Sequence, residues 1–418
     1  MFLLSLETLE KRKLTSPREP HLYGDWSPAF SPDGQTLAFM RDSSIDTEDI
    51  YLIPVVGGEP RRLTFDNTLL RGMAWTADGA EIVFTSTRGG SNLRLWRVSL
   101  LGGTPEPLAA GGEKAMTPAI SRQGSLLAYA QDPSGNTKIW RIEVSKATGR
   151  GSSPVKFIAS TRDESTPQYS SDGKRIAFAS DRSGSEEIWV CDSDGSNQVK
   201  LTNFGGPVGG SPHWSADGSQ IAFDSRPEGY SQIYVINAEG GQPRRITTGK
   251  SDDVAPTWSK DGRWIYFSSN RGGQQQMWKV PVEGGEAVQV TGRAGSWGAE
   301  SLDGKLFYYE VENAGVWTIW RVPVAGGQEA PVIKIGQQQW YDVAAVTEQG
   351  IYFTNLDAKP QPEIELFSFA KGRVKQIATI GKERGNPGLA VSPDERWILY
   401  TQAEDPPSSD IMLVENFR

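Results

Sequence analysis

The sequence predicts an all-β fold: a closed β-propeller built from four-stranded antiparallel blades. Three observations carry that expectation. A unit recurs about every 45 residues along the chain, each unit holds hairpin signals at the same internal positions, and the apolar runs are short, without the long 3.6-residue periodicity of helical repeats.

The recurring mark is a hydroxyl residue, two variable positions and glycine, placed ahead of an apolar strand. It stands at Ser31-Pro-Asp-Gly34, Thr76-Ala-Asp-Gly79, Ser121-Arg-Gln-Gly124, Ser170-Ser-Asp-Gly173, Ser215-Ala-Asp-Gly218, Ser259-Lys-Asp-Gly262, Ser301-Leu-Asp-Gly304 and Thr347-Glu-Gln-Gly350, and a ninth copy, Ser392-Pro-Asp-Glu395, lacks the glycine. Successive copies are separated by 45, 45, 49, 45, 44, 42, 46 and 45 residues. Asp and Ser accept local backbone hydrogen bonds in turns, and Gly reaches positive φ without a Cβ penalty. The motif is therefore expected to be turn chemistry, not an array of catalytic carboxylates.

Residues 209–247 show the grammar of one unit: a segment ending at Trp214, an Asp-Gly turn, the run Ile221-Ala-Phe223, a polar loop, Ile233-Tyr-Val-Ile236, a Gly-Gly turn and Arg244-Arg-Ile-Thr247. Such turns between β-rich runs mark hairpins. Each unit is two hairpins in series, with strands named a to d from the inside outwards. The units run over 27–66, 70–110, 115–160, 164–204, 209–249, 253–292, 296–336, 340–380 and 386–418 in a single domain. Nine blades are expected, with eight as the alternative should a degenerate unit, the third or the eighth, be peripheral.

The last unit supplies strands a, b and c and then stops. Leu9-Glu-Lys-Arg-Lys-Leu-Thr15 reads like strand d of other units, such as Glu59-Pro-Arg-Arg-Leu-Thr64. The N-terminal strand is expected to complete the C-terminal blade, a velcro closure that removes an exposed sheet edge.

Composition narrows the function classes. The formal net charge is -8 and no basic cluster stands out, so direct nucleic-acid contact is not expected. No apolar run approaches a membrane span, and Phe2-Leu-Leu4 is too short for a signal-peptide core, so a soluble chain is expected, with any export signal outside it. The single cysteine, Cys191, lies in a strand c and reads as a buried small hydrophobe. Only His21 and His213 exist, in different units, and no Gly-x-Ser-x-Gly elbow is present, so no triad, metal site or cofactor is expected. Asp192-Ser-Asp-Gly-Ser-Asn197 starts like a calcium loop, but Asn197 and Asn203 stand where glycine and a bidentate acid are needed, which favours a hairpin turn. The periodic Arg88, Arg182, Arg226 and Arg271 after strand b are expected to be structural.

Tyr169-Ser-Ser-Asp-Gly-Lys-Arg-Ile-Ala-Phe178 with Asp181-Arg182, Ile188-Trp189, Asp194-Gly195 and Lys200-Leu-Thr202 resembles the WD40-like repeats of TolB-like β-propellers, over essentially the whole chain. More narrowly, Leu3 to Thr15 and Asp410 to Arg418 resemble the edges of the propeller in bacterial regulators that join a winged-helix domain to a C-terminal TolB-like sensor. That resemblance implies a bacterial sensor domain that binds a ligand or a protein.

In a propeller, the a–b and c–d turns share one face and the b–c and d–a loops share the other. Here the regular turns occupy the first face and the irregular sequence gathers on the second, where function is expected. The residues proposed for binding are Asp25, Trp26, Glu164, Asp252, Asp253, Trp297, Trp340, Tyr341, Asp342 and Arg384, because rigid rings mixed with carboxylates and arginine suit a protein, peptide or glycan partner. The shortage of His and of non-repeating acidic motifs favours a non-catalytic, monomeric binding or scaffold propeller. The alternative is a carbohydrate-active enzyme with acid and base carboxylates at the channel mouth.

Overall fold

The computed structural model describes residues 1–16, 24–44, 47–131, 136–205, 209–336, 344–381, 388–404 and 410–417. Among them the regular structure is β throughout, save one 3-10 turn at Ala109–Gly111. Eight sheets have four antiparallel strands, one has three, and one is a two-stranded hairpin.

The recurring motif builds the a–b turn as its residue types require. In Ser170 to Arg175, the Ser170 hydroxyl donates to Asp172 Oδ1 (2.7 Å) and accepts from the Arg175 amide (2.9 Å), while Asp172 Oδ1 accepts from the Lys174 amide (3.0 Å). Gly173 closes the turn at φ 70°. These bonds hold the Asp172 carboxyl below its ordinary range, first through the Ser170 hydroxyl. The ninth copy reaches the same left-handed region with Glu395 at φ 53°.

Strand a carries a second repeated device. Its register shifts at a residue with positive φ, as at Thr166, Ser211 and Ala255, each followed by proline. The bulge bends the strand. The tryptophan ending strand a then ties one sheet to the next: Trp214 Nε1 donates to the Gln168 carbonyl (3.1 Å) and Trp258 Nε1 to that of His213 (2.9 Å).

Two of the arginines after strand b, Arg182 and Arg271, make structural ion pairs, as expected. Arg182 donates to Glu164 (2.9 Å) and Arg271 to Asp253 (2.6 Å), two fully buried carboxylates at the start of strand a in the same sheet. Each guanidinium also lies over rings of its own sheet, Phe178 and Trp189 for Arg182, Phe267 and Trp278 for Arg271.

The contacts divide the chain into two compact units, where the sequence reading expects one domain. One takes in residues 1–134, 227–230 and 406–418, the other 135–226 and 231–405. The second unit has six four-stranded sheets, whose inner strands include Glu164–Tyr169, Gly209–Trp214, Asp253–Trp258, Gly298–Glu300, Ala344–Val346 and Leu389–Val391. Each inner strand contacts the next, and the last contacts the first. Gly388 makes that last approach possible, because a Cβ there would lie 2.7 Å from Thr166 Cα. The first unit has two four-stranded sheets, the three-stranded sheet and the hairpin.

Strand pairing corrects the expected closure. Lys11–Lys13 pairs with Phe2–Leu4 and not with the terminal strand. Asp410–Glu415 instead pairs with Leu126–Gln131 of the third repeat, and Thr137–Glu143 of that repeat pairs over seven positions with Trp397–Ala403 of the ninth. The third and ninth repeats thus exchange their outer strands. The exchange buries Ile139, Ile142, Ile398, Leu399 and Tyr400 completely. Asp163 also fixes the incoming strand, accepting from the Thr137 amide (2.6 Å) and hydroxyl (2.8 Å). At the N-terminus, the Met1 ammonium donates to Thr15 Oγ1 (2.8 Å) and Leu14 is buried, so residues 11–15 are already engaged by residues 1–4.

Truncating Arg271 leaves Asp253 buried without its counter-charge. Arg271→Ala is expected to lower the unfolding free energy by roughly 3 kcal/mol in chemical denaturation, whereas a change below about 0.5 kcal/mol would remove the structural assignment.

Candidate functional site

In the second unit the loop-bearing ends of two neighbouring sheets bring together four carboxylates from separate parts of the repeat. Asp163 immediately precedes the inner strand Glu164–Tyr169, and Asp181 follows strand b, Arg175–Ser180. Glu186 precedes strand c, Glu187–Asp192, and Asp224 lies near the end of the next sheet's strand b, Gln220–Ser225, with Arg226 just beyond it. All lie at the end of the sheets where the d–a and b–c connections run.

Hydrogen bonds set the positions. The Asp163 amide donates to Asp181 Oδ1 (2.8 Å), and the Asp181 amide returns a bond to the Asp163 carbonyl (3.3 Å). Asp224 accepts from the Ser231 hydroxyl and from the amide of bulge residue Ala255 (3.3 Å each). Glu186 is half-buried.

This environment separates the carboxyl groups. Burial pushes Glu186 up to about 8, helped by the charges of Asp181, Asp163 and Asp224 and opposed by Arg226. Burial also raises Asp224, to about 6, against the pull of Arg226 and its hydrogen-bond donors. Asp181 is raised by burial and then by the Asp163 charge. Burial thus favours the protonated form of both groups, more strongly for Glu186 than for Asp224, whose charge Arg226 and its hydrogen-bond donors support.

Thr166, Gln168, Ser211, His213 and Thr257 of the inner strands, with Trp297, line a small cavity. His213 is neutral there, because burial pulls it down to about 4. Cys191 is buried and pushed up to about 12, the state of an unreactive thiol. Among the described residues, no group of three His, Cys, Asp or Glu side chains is arranged to hold a metal ion.

The residues singled out from sequence fall in several places. Asp252 accepts from the Ser231 amide (3.1 Å), so it shares a loop with Asp224. Glu164 and Asp253 are the buried partners of Arg182 and Arg271. Trp297 lines the cavity. Asp25, paired with Arg41 (2.6 Å), and Trp26, beside Arg71, belong to the first unit. Trp340, Tyr341, Asp342 and Arg384 lie outside the described residues. Sequence reasoning missed Glu186 and Asp224. One signal was available: Asp224 stands inside strand b where three other repeats carry Ala179, Ser268 and Thr85, a position shared as an acid only with Glu310 of the seventh repeat among the described strands.

The unfolded chain releases the Glu186 proton near 4.5, while the folded chain holds it to about 8. The native state therefore binds more protons between those values, and stability falls as pH rises through that window. Glu186→Gln is expected to flatten the fall in melting temperature across it. An unchanged slope would assign the buried proton to another group.

A family model described as the TolB beta propeller domain matches residues 1–206 and 150–302. A relative named uncharacterized peptidase YuxL, from Bacillus subtilis (strain 168), is 39% identical over 62 residues, 15% of this chain and 9% of that protein. The chain thus matches about a tenth of that relative's length. TolB from Acinetobacter baumannii is 15% identical, with 81% of this chain and 84% of that one covered at a TM-score of 0.46. An oligogalacturonate lyase from Vibrio parahaemolyticus is 14% identical, with 87% and 95% covered at 0.33. The peptidase name of the relative corrects two expectations: a non-catalytic binding domain, and a chain that is not an enzyme. Those expectations leaned on the absence of a contiguous acidic motif, whereas the carboxylates here converge from separate segments.

Proposed function

This chain belongs to the TolB beta propeller domain family, and we propose that it is a propeller enzyme that cleaves glycosidic bonds with Glu186 as acid and Asp224 as base. The observation that carries this reading is the mutual influence of Asp163, Asp181, Glu186 and Asp224 at one end of neighbouring sheets, opposed by Arg226, with Glu186 pushed up to about 8 and Asp224 to about 6. Glu186 gives its proton to the leaving oxygen as the bond from carbon to that oxygen breaks. Asp224 takes a proton from the water whose oxygen forms the new bond to carbon. Asp181 and Asp163 keep Glu186 protonated, and Arg226 keeps Asp224 ionised.

A second reading rests on the 62-residue likeness to a protein named a peptidase: the propeller serves peptide cleavage. The two separate by assay. Release of reducing ends from a panel of oligosaccharides is expected to follow a bell in pH, with limbs near 6 and 8. Glu186→Gln and Asp224→Asn are each expected to reduce kcat about 10²- to 10⁴-fold. Activity on peptides and none on glycans would favour the second reading, and full activity in both variants would remove these residues from the chemistry.

A further inference from the structure

The three-stranded sheet of the first unit, Ala115–Ile120, Leu126–Gln131 and Asp410–Glu415, has an open side. Elsewhere, strand c is covered by a strand d in one repeated way. Ile188 and Ile233, each the second residue of a six-residue strand c, donate to Thr202 and Thr247 Oγ1 (2.9 and 3.0 Å). Their carbonyls accept from the Leu201 and Ile246 amides (2.8 Å each), and their side chains are fully buried.

Ile411 is the second residue of Asp410–Glu415, and it is 82% exposed, with Leu413 at 58%. Among the described residues no strand pairs with the outer edge of this one. The segments that fill the slot in other sheets read Lys200-Leu-Thr202 and Arg244-Arg-Ile-Thr247, basic residues followed by an aliphatic residue and threonine. The open strand is flanked by the exposed acids Asp410 and Glu415, which complement that pattern. The chain's own segment of this kind, residues 11–15, is held by residues 1–4, with Leu14 and Thr15 buried.

We infer that the Asp410–Glu415 edge is a β-addition site for an extended segment of a separate protein, of the pattern basic, basic, aliphatic, threonine. The incoming backbone bonds to Ile411 and Leu413, its threonine hydroxyl accepts from the Ile411 amide, its aliphatic side chain covers Ile411, and its basic residues lie opposite Met412 and Leu413, diagonal to Asp410 and Glu415. This binding is independent of the proposed glycosidic chemistry.

A fluorescent peptide with the sequence of residues 241–250 is the probe, read by anisotropy against the full chain. Saturable binding is expected, weakened at least tenfold by Leu413→Pro, which removes an outward amide. Should that variant fold poorly, the surface variant Asp410→Lys with Glu415→Lys is expected to weaken binding to a similar degree at low salt. No saturable binding by the wild type, or equal binding by the charge-reversed variant, overturns the inference. So does self-association of the wild type that Leu413→Pro abolishes, since a second copy would then fill the edge.

Discussion

The antiparallel pairing of Thr137–Glu143 with Trp397–Ala403 is the interaction on which the second unit depends. It makes one sheet from segments at opposite ends of that unit, so the inner strand Leu389–Val391 can meet Glu164–Tyr169 and the cycle of sheet contacts has no gap. Joining distant segments costs chain entropy that grows only slowly with loop length, and a fully buried set of Ile, Leu and Tyr side chains offsets it. Asp163 serves both halves of the account. It caps the incoming strand at Thr137, and its charge helps to keep Glu186 protonated.

The repeated devices and the exceptional residues divide the work. Turn carboxylates such as Asp172 are bound by their own hydroxyls and amides, and the acids at the start of strand a are bound by arginine, so neither set is available for chemistry. The cluster around Glu186 differs because burial and like charge act together there, opposed by Arg226. A scaffold that fixes most of its carboxylates structurally leaves a few to be tuned by their surroundings.

Much of the fold was legible because each sheet is specified locally. The Ser-x-Asp-Gly turns, the strand order within a unit and the structural arginines all follow from residue types at short spacing. The exchange between the third and ninth repeats was not legible, because Asp410–Glu415 and Thr137–Glu143 have equivalent strand c patterns, and pattern alone does not say which strand b each will join. The 49-residue step after Gly124 marks the place where the chain passes from one unit to the other. The irregular loops led the sequence reading to expect function on their face, and the proposed carboxylate cluster lies at that end of the sheets. The site residues were less legible: Glu164 and Asp253 look like surface acids in sequence but are buried partners of arginine, while Glu186 acquires its character from burial and from three carboxylates elsewhere in the chain.

Disulfide trapping tests the strand exchange most directly, since the only native cysteine, Cys191, is buried. In the structure Trp397 faces Glu143. In a repeat that kept its own strands, Trp397 would face Glu415, as Trp264 faces Pro281. Under mild oxidation, Glu143→Cys with Trp397→Cys is expected to form an intramolecular disulfide, and Trp397→Cys with Glu415→Cys to remain reduced. The reverse outcome would contradict the exchange, and with it the cycle of sheets that positions the carboxylates.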